Sequence, residues 1–230
     1  MILNSVQAAN DLIDKRGVNY ADRPRFVLFE MMGWGITLTF LRWGPKFKLH
    51  RKIMQNAFTT SNIKQYRRIQ EDGARQTVRE MLLRPQKWEA LSNKFATTVI
   101  LKVGFGVSIT EDDHPYLKMA EEASTATTNG GTPGSSFVDF FPTARFLPSW
   151  LHSSSMKHAK ASKPAIQRIH DVLFAATEKE IRDGNAKPSF LRNHLEAFWK
   201  NAKDGRESEL TVSDIKGASG AIFIAGGNTT

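Results

Sequence analysis

The last six residues of the sequence combine small residues with polar side chains that could take part in chemistry. Gly226 and Gly227 are followed by Asn228, Thr229 and Thr230. Each glycine costs about 1 kcal/mol relative to alanine inside a helix, so the pair indicates a close approach or a local opening of the backbone. The alternative interpretation is the end of a helix. An amide at such a point could still orient water.

A second candidate lies far upstream, where Phe47 and Arg51 are four residues apart in a basic segment that begins at Trp43. On a helix this spacing places both side chains on one face. A guanidinium pairs with a carboxylate through two parallel hydrogen bonds, so Arg51 could bind an anionic group. For Arg51 alone, a solvated basic face is the alternative interpretation.

Apolar residues recur at helical spacing along most of the chain, and no convincing alternating pattern of strands appears. The sequence therefore predicts a mainly α-helical protein. A short helix is expected over residues 5–17, with Gly17 as its C-cap, and a long loop over residues 20–45, where prolines and glycines mix with bulky apolar side chains. Further helices are expected over residues 46–58, 63–84, 90–106, 115–128, 156–183 and 189–201.

Three segments carry further expectations about packing. In helix 63–84 the residues expected to face inward are Tyr66, Ile69, Val78, Met81 and Leu82. A final helix has its N-terminal capping signal at residues 211–214, and from Ala218 onward it is apolar almost all round, which predicts that it is buried. Residues 137–151 are aromatic and punctuated by proline, and they are expected to pack as a lid or hydrophobic loop.

The charge balance favours anionic partners. The 32 Lys+Arg against 23 Asp+Glu give a net charge of +9, which suits nucleic acid, a membrane surface or an acidic redox protein, and charge alone does not choose among them.

The absence of cysteine excludes disulfides, iron–sulfur clusters, Cys-based zinc sites and cysteine nucleophiles within this chain. The 6 histidines include no i,i+4 pair with a nearby glutamate, so no metal site is expected. No stretch reaches the ~18 apolar residues of a membrane span, and the opening residues lack the features of a signal peptide. We therefore expect no membrane anchor in this chain.

The run from Ala225 to Thr230 resembles the central-helix signature of cytochromes P450, small-Gly-x-acid-Thr-Thr. The resemblance implies that Ala225 and Gly226 border a groove in which dioxygen sits against haem iron, and that the Thr229 hydroxyl takes part in proton delivery. Asn228 stands where the family usually has a carboxylate. An amide cannot exchange protons at neutral pH as a carboxylate can, so Asn228 is expected to orient water instead.

The segment from Trp43 to Lys52 is similar to the family's third named helix, which carries Trp-x-x-x-Arg. The resemblance implies that Arg51 binds a haem propionate. Phe47 replaces the usual tryptophan, which keeps an aromatic wall and loses the indole N–H donor. Residues 20–24, the loop before Phe47 and residues 137–151 match the family in the same order, so the resemblance covers nearly the whole chain. The matching segments are most similar in type to those of eukaryotic, fungal microsomal members of the family.

The resemblance implies a single partial cytochrome P450 domain over residues 1–230, running from the first named helix to the central helix, with both ends cut. The intact parent is expected to be a haem monooxygenase that inserts one oxygen atom from O₂ into an apolar organic substrate. It would take electrons from NADPH-cytochrome P450 reductase at the endoplasmic reticulum membrane. The axial cysteine thiolate of the haem is absent from this chain, so the chain alone is expected to be inactive.

Two interpretations from other classes stay open at this point. In the first, the chain is a basic helical module that binds nucleic acid or an anionic membrane through Lys157, Lys160, Lys163 and Arg168. In the second, it is an interaction protein that keeps the fold without haem. The monooxygenase interpretation expects no nucleic acid partner.

Overall fold

The computed structural model describes residues 2–132 and 134–227. Over these ranges the chain forms α-helices and short helical turns without a strand, which confirms the mainly α prediction. The α-helices are α1 (Val6–Ala9), α2 (Gly17–Tyr20), α3 (Val27–Met32), α4 (Pro45–Ala57), α5 (Arg67–Leu83), α6 (Trp88–Phe105), α7 (Pro115–Thr128), α8 (Phe137–Phe140), α9 (Ser154–Arg182), α10 (Phe190–Lys203) and α11 (Val212–Gly227). A π-helical turn (Asn10–Asp14) lies between α1 and α2.

The helices predicted from residue 46 onward are confirmed, and their ends carry the expected caps. Ser189 accepts a hydrogen bond from the Arg192 backbone N–H at 3.2 Å at the start of α10. Gly184, with φ of 76°, follows the end of α9, where a left-handed C-cap residue was expected.

Two predictions for the first 45 residues were wrong. The segment over residues 20–45 is not simply a loop, because it contains α3, whose four apolar residues are buried. A helix of six residues is too short to show a periodic pattern, and it ends at Gly33, which takes a left-handed φ of 102°. Gly17 begins α2 instead of capping the helix before it.

The inward face predicted for α5 was wrong at Val78 and Leu82, which are 57% and 79% exposed. The helix packs on α6 along a face that passes through Gly73 and Thr77. A Cβ at Gly73 would lie 3.0 Å from the Phe95 ring, so the absence of a side chain there sets the contact. Apolar periodicity does not mark a face made by a glycine and a threonine.

The main core forms where α9 crosses α3, α7 and α11, while α6 packs along α11. Leu101 of α6, Ile166 and Leu173 of α9, and Ile215 of α11 are fully shielded from solvent. The predicted burial of the final helix is confirmed for Ala218, Ala221, Ile222 and Phe223, each at most 5% exposed, and was wrong at Ala225, which is exposed. Helix α11 is therefore a buried element against which α6, α9 and α10 pack.

Leu101 and Leu83 give a matched test of this arrangement. Leu101→Ala should lower the free energy of unfolding by about 3 kcal/mol, because it removes buried methyl groups and leaves a cavity. Leu83→Ala, at a position 81% exposed, should change it by less than about 0.5 kcal/mol. Urea unfolding measures both values, and similar losses in the two variants would contradict this core.

Candidate functional site

Helix α4 presents two different faces, and the outer one carries the predicted anion-binding residue. Arg51 is exposed, and its side chain makes no hydrogen bond or ion pair with another described residue. Phe47, one turn earlier, is half-buried. Pro45 occupies the first turn of α4, where its fixed φ suits the helix and its missing N–H costs nothing. The guanidinium is thus free to meet a ligand.

The surroundings of Phe47 are aromatic and cationic. The Trp43 ring lies 5.4 Å from the Phe47 ring, and the guanidinium of Arg23 lies 5.8 Å from the Phe47 ring centroid. Lys48 Nζ lies 5.1 Å from the Trp43 ring centroid. With Arg51, these groups make the outer face of α4 a concentration of positive charge, which attracts anionic ligands.

A carboxylate clamps the chain just before α4. Asp22 accepts a hydrogen bond from the Trp43 backbone N–H at 2.9 Å and forms an ion pair with Arg42. Hydrogen bonding from Arg42 holds the pKa of the Asp22 carboxyl at about 2. The Asp22 carboxylate thereby joins the segment 20–24 to the start of α4.

The inner face of α4 is fixed to α11 by a buried polar contact. His50 is 0% exposed, and its Nε2 lies 3.0 Å from Oδ1 of Asp214. Lys46 Nζ lies 3.2 Å from the same oxygen. Ile53, one turn after His50, packs with Ala218 and other residues of a second apolar cluster.

Asp214 is itself held by the start of α11. Its Oδ2 accepts hydrogen bonds from the Thr211 backbone N–H at 3.0 Å and from Thr211 Oγ1 at 2.6 Å. Thr211 Oγ1 in turn accepts from the Asp214 N–H at 3.2 Å, which completes a capping box. Burial alone would raise the pKa of the Asp214 carboxyl, but the hydrogen bonds from Thr211 and His50 outweigh it and hold the pKa well below its usual range. The carboxylate is therefore ionised.

The glycines of α11 permit close approach of neighbouring backbone and side chains. A Cβ on Gly226 would lie 2.0 Å from Cδ1 of Ile100 in α6. The close approach predicted at Gly226 is thus present, and it is made by Ile100. Ala225 is exposed. The predicted roles of Ala225 and Gly226 beside dioxygen stay predictions, and Asn228 and Thr229 lie outside the described residues.

A cavity of about 800 Å³ adjoins the central helix. Its lining includes Trp34, Leu91, Thr97, Leu117, Phe223 and Ile224, which come from α6, α7, α11 and the turn after α3. At one end Lys94 pairs with Asp112 at 2.6 Å. Hydrogen bonds from Lys94 and Arg84 lower the pKa of the Asp112 carboxyl to about 2, so this end of the cavity is charged. The rest of the lining is mixed, with Lys87, Glu89 and Glu121 beside the apolar side chains.

Sequence reasoning missed the contact between His50 and Asp214. The motif at residues 211–214 marked Asp214 only as part of a cap, and nothing in the order of residues indicates that His50 faces it. It also missed Gly217, where a Cβ would lie 1.9 Å from the carbonyl oxygen of Ile36. The presence of glycines within a predicted buried apolar helix was the signal that could have indicated this close packing.

Over residues 2–132 and 134–227, no group of three or more possible His, Cys, Asp or Glu ligands for a metal ion occurs. Within the same ranges, no helix combines the length and apolarity needed to cross a bilayer.

Fold and site together define a helical domain packed around one buried helix, with a cationic face beside the start of that helix. The chain matches the family model described as Cytochrome P450 over residues 1–230. It therefore belongs to the cytochrome P450 family. The family is one of haem monooxygenases, so the resemblance read from the two sequence motifs is confirmed.

Curated relatives from fungi match along the whole chain. It is 30% identical over 234 residues to a cytochrome P450 monooxygenase of Armillaria gallica and 30% identical over 232 residues to tryptamine 4-monooxygenase of Psilocybe cyanescens, with 45% of each relative covered. It is 31% identical over 233 residues to cytochrome P450 monooxygenase 208 of Postia placenta, with 44% covered. The chain spans slightly less than half the length of these relatives. Their names give no support to the nucleic-acid alternative.

Gly217 tests how closely α11 must pack. Gly217→Ala should lower the free energy of unfolding by about 3 kcal/mol, because the new methyl meets the backbone carbonyl of Ile36, which cannot move aside as a flexible side chain can. Gly17→Ala is the control, since nothing lies within 4 Å of a Cβ there. Thermal unfolding of both variants provides the comparison, and an unaffected Gly217→Ala protein would contradict this packing.

Proposed function

We propose that the protein carrying this chain is a haem-dependent monooxygenase that inserts one oxygen atom from O₂ into an apolar organic substrate. The observation that supports this most directly is the state of Arg51. Its guanidinium is exposed and free of described partners, on a helix whose other face is fixed to the central helix. A carboxylate ligand such as a haem propionate suits that group in charge and geometry.

The donor set of this chain fits one edge of a haem. Arg51 would hold a propionate, Phe47 would form an aromatic wall beside it, and the nearby Arg23 and Lys48 would add favourable charge. The 230 residues contain no cysteine, so the thiolate that ligates the iron would come from residues outside this sequence. When bound, a haem with a thiolate ligand supplies the oxygen chemistry.

The residues after the described part of α11 would handle protons. The Thr229 hydroxyl would take part in proton delivery, and Asn228 would orient a water molecule near it. Because an amide does not take up and release protons at neutral pH, we propose that the water beside Asn228 carries the proton in place of a carboxylate. Ala225 and Gly226 would border the oxygen site.

We further propose that the apolar part of the cavity beside α11 receives the substrate. Phe223 and Ile224 project into it from the central helix, and Trp34 and Leu117 close it from other elements. These four side chains offer no counter-ion, so this part of the lining favours an apolar molecule over a charged one. Electrons would come from NADPH-cytochrome P450 reductase, and no nucleic acid takes part.

The Arg51 proposal predicts a measurable loss of haem. Arg51→Leu in the haem-loaded protein should weaken haem binding roughly tenfold to a hundredfold, since a charge-assisted hydrogen bond contributes about 1.5–3 kcal/mol. Arg68→Leu removes an equally charged side chain that is 92% exposed on α5, and it should leave haem binding unchanged. Haem transfer to excess apomyoglobin gives both rates. Equal rates in the two variants would remove Arg51 from the haem site.

We also propose that the intact parent associates with the endoplasmic reticulum membrane partly through residues 137–151. This segment exposes large aromatic side chains, among them Phe140 at 69%, Phe146 at 74% and Trp150 at 75%. An exposed group of this kind is costly in water and marks a membrane or protein contact. Arg145, whose guanidinium lies 4.7 Å from the Phe146 ring centroid, pairs with Glu30 at 3.2 Å and so holds this segment against α3.

Replacing three of these aromatics tests the membrane proposal. Changing Phe140, Phe146 and Trp150 to serine should weaken binding to phosphatidylcholine vesicles at least about tenfold, because each ring contributes apolar area to the bilayer contact. Changing Val78, Leu82 and Leu83 to serine removes as many exposed apolar side chains from α5 and serves as the control. Vesicle flotation measures the bound fraction. Equal loss in both variants would point to general apolar adsorption instead.

A further inference from the structure

We infer that His50 is a positioning residue that sets the rotation of α4 through its hydrogen bond to Asp214, and thereby directs the next residue, Arg51, toward its ligand. The inference rests on the proposed function, because the ligand of Arg51 is taken to be a haem propionate. It assigns a role to a buried histidine that does not itself touch the cofactor.

The contact has a fixed acceptor. Asp214 Oδ2 is occupied by two hydrogen bonds from Thr211, so the carboxylate belongs to the rigid first turn of α11. Its remaining oxygen, Oδ1, faces His50 Nε2 at 3.0 Å. Since the ionised carboxylate can only accept, Nε2 carries the proton and donates it. The acceptor therefore cannot follow α4 if that helix turns about its axis.

The other contacts of α4 constrain its rotation weakly. Met54 and Ala57 pack on the same apolar cluster as Ile53, and Lys52 lies 3.6 Å from Glu209 in an exposed pair. The buried residues of α4 are His50 and Ile53, and the contact of Ile53 is apolar and non-directional. Lys46 reaches the same oxygen of Asp214, but its side chain is 49% exposed and flexible, so it constrains the helix weakly. The hydrogen bond of His50 depends on direction as well as distance. It is the contact that fixes which way the helix faces.

The orientation of Arg51 follows from helix geometry. Consecutive residues project about 100° apart around a helix of 3.6 residues per turn. With His50 held inward, Arg51 must leave the helix from its flank, on the side that carries Phe47. A rotation of α4 that broke the contact of His50 would turn Arg51 away by the same angle.

The choice of residue type at position 50 also points to this bond. His50 Nδ1 is buried without a partner among the described residues, which costs stability that an apolar side chain would avoid. Space filling therefore does not account for an imidazole. Its Nε2 donor does.

His152 provides a matched control for variants of His50. It is 4% exposed, its Nε2 lies 2.8 Å from the carbonyl oxygen of Leu147, and its Nδ1 is likewise without a described partner. It lies in the segment before α9, away from α4 and Asp214. Replacing either histidine by leucine removes one buried hydrogen bond and one unpaired nitrogen.

The experiment measures haem loss to excess apomyoglobin from the haem-loaded protein expressed from its full transcript. His50→Leu should lose haem about tenfold faster than wild type, the size of effect seen when an outer partner of a cofactor ligand is removed. His50→Gln should stay within about twofold of wild type, since its amide can donate to Asp214 from a similar distance. His152→Leu should match wild type. If His50→Leu does not fold, His50→Asn replaces it, because that shorter amide stops short of Asp214.

The double variant decides whether His50 acts through Arg51. Combining His50→Leu with Arg51→Leu should give the rate of haem loss of Arg51→Leu alone. If His50 acts only by orienting Arg51, its replacement has no further effect once the guanidinium is gone. Two outcomes would overturn the inference and leave the proposed function standing. In the first, the fold-increases in haem loss of the two single variants multiply in the double variant. In the second, His50→Leu behaves like His152→Leu while Arg51→Leu loses haem. A wild-type protein that takes up no haem, or an Arg51→Leu protein that retains it normally, would overturn the haem role of Arg51 and this inference with it.

Discussion

The buried carboxylate of Asp214 is the constraint on which the arrangement of the site depends. The Asp214 carboxylate is 5% exposed, so its oxygens must accept hydrogen bonds. Without them, the free-energy cost of removing the charge from water would exceed the stabilisation from the contact with α4. Thr211 satisfies one oxygen and His50 with Lys46 satisfies the other. The same group thus starts α11 and fastens α4 to it. A contact between elements 164 residues apart in sequence is set by one side chain.

The central helix gives up helix propensity in order to pack closely. Gly217 accepts the carbonyl of Ile36, Gly226 accepts Ile100, and a Cβ at Gly220 would lie 2.2 Å from Cε1 of His170. Each glycine costs about 1 kcal/mol in propensity, which the dense contacts around α11 must offset. Burial lowers the pKa of His170, so the ring that fills the space at Gly220 is neutral and adds no unpaired charge to the core.

Much of the fold could be predicted from the order of residues, because its long helices have regular apolar patterns and recognisable caps. The prediction failed where tertiary contacts replace a local signal. Helix α3 is held by the burial of Val27 and Leu28 and is too short for periodicity, and the inner face of α5 is defined by Gly73. Arg51 was predicted as a site residue because its spacing from Phe47 matches a known motif. His50 was not, since burial of a polar residue is decided by its distant partner.

In the proposed function, the two faces of α4 would separate stability from ligand binding. The inner face makes its contacts inside the protein, so His50 contributes to where the helix lies and has no capacity left at Nε2 for a ligand. The outer face leaves Arg51 without an internal partner. An arginine paired within the protein would have to break that pair before binding an anion, at the expense of affinity. Because α4 is held by its inner face and the Arg51 guanidinium has no described partner, the proposed binding of a carboxylate by Arg51 would not carry that cost.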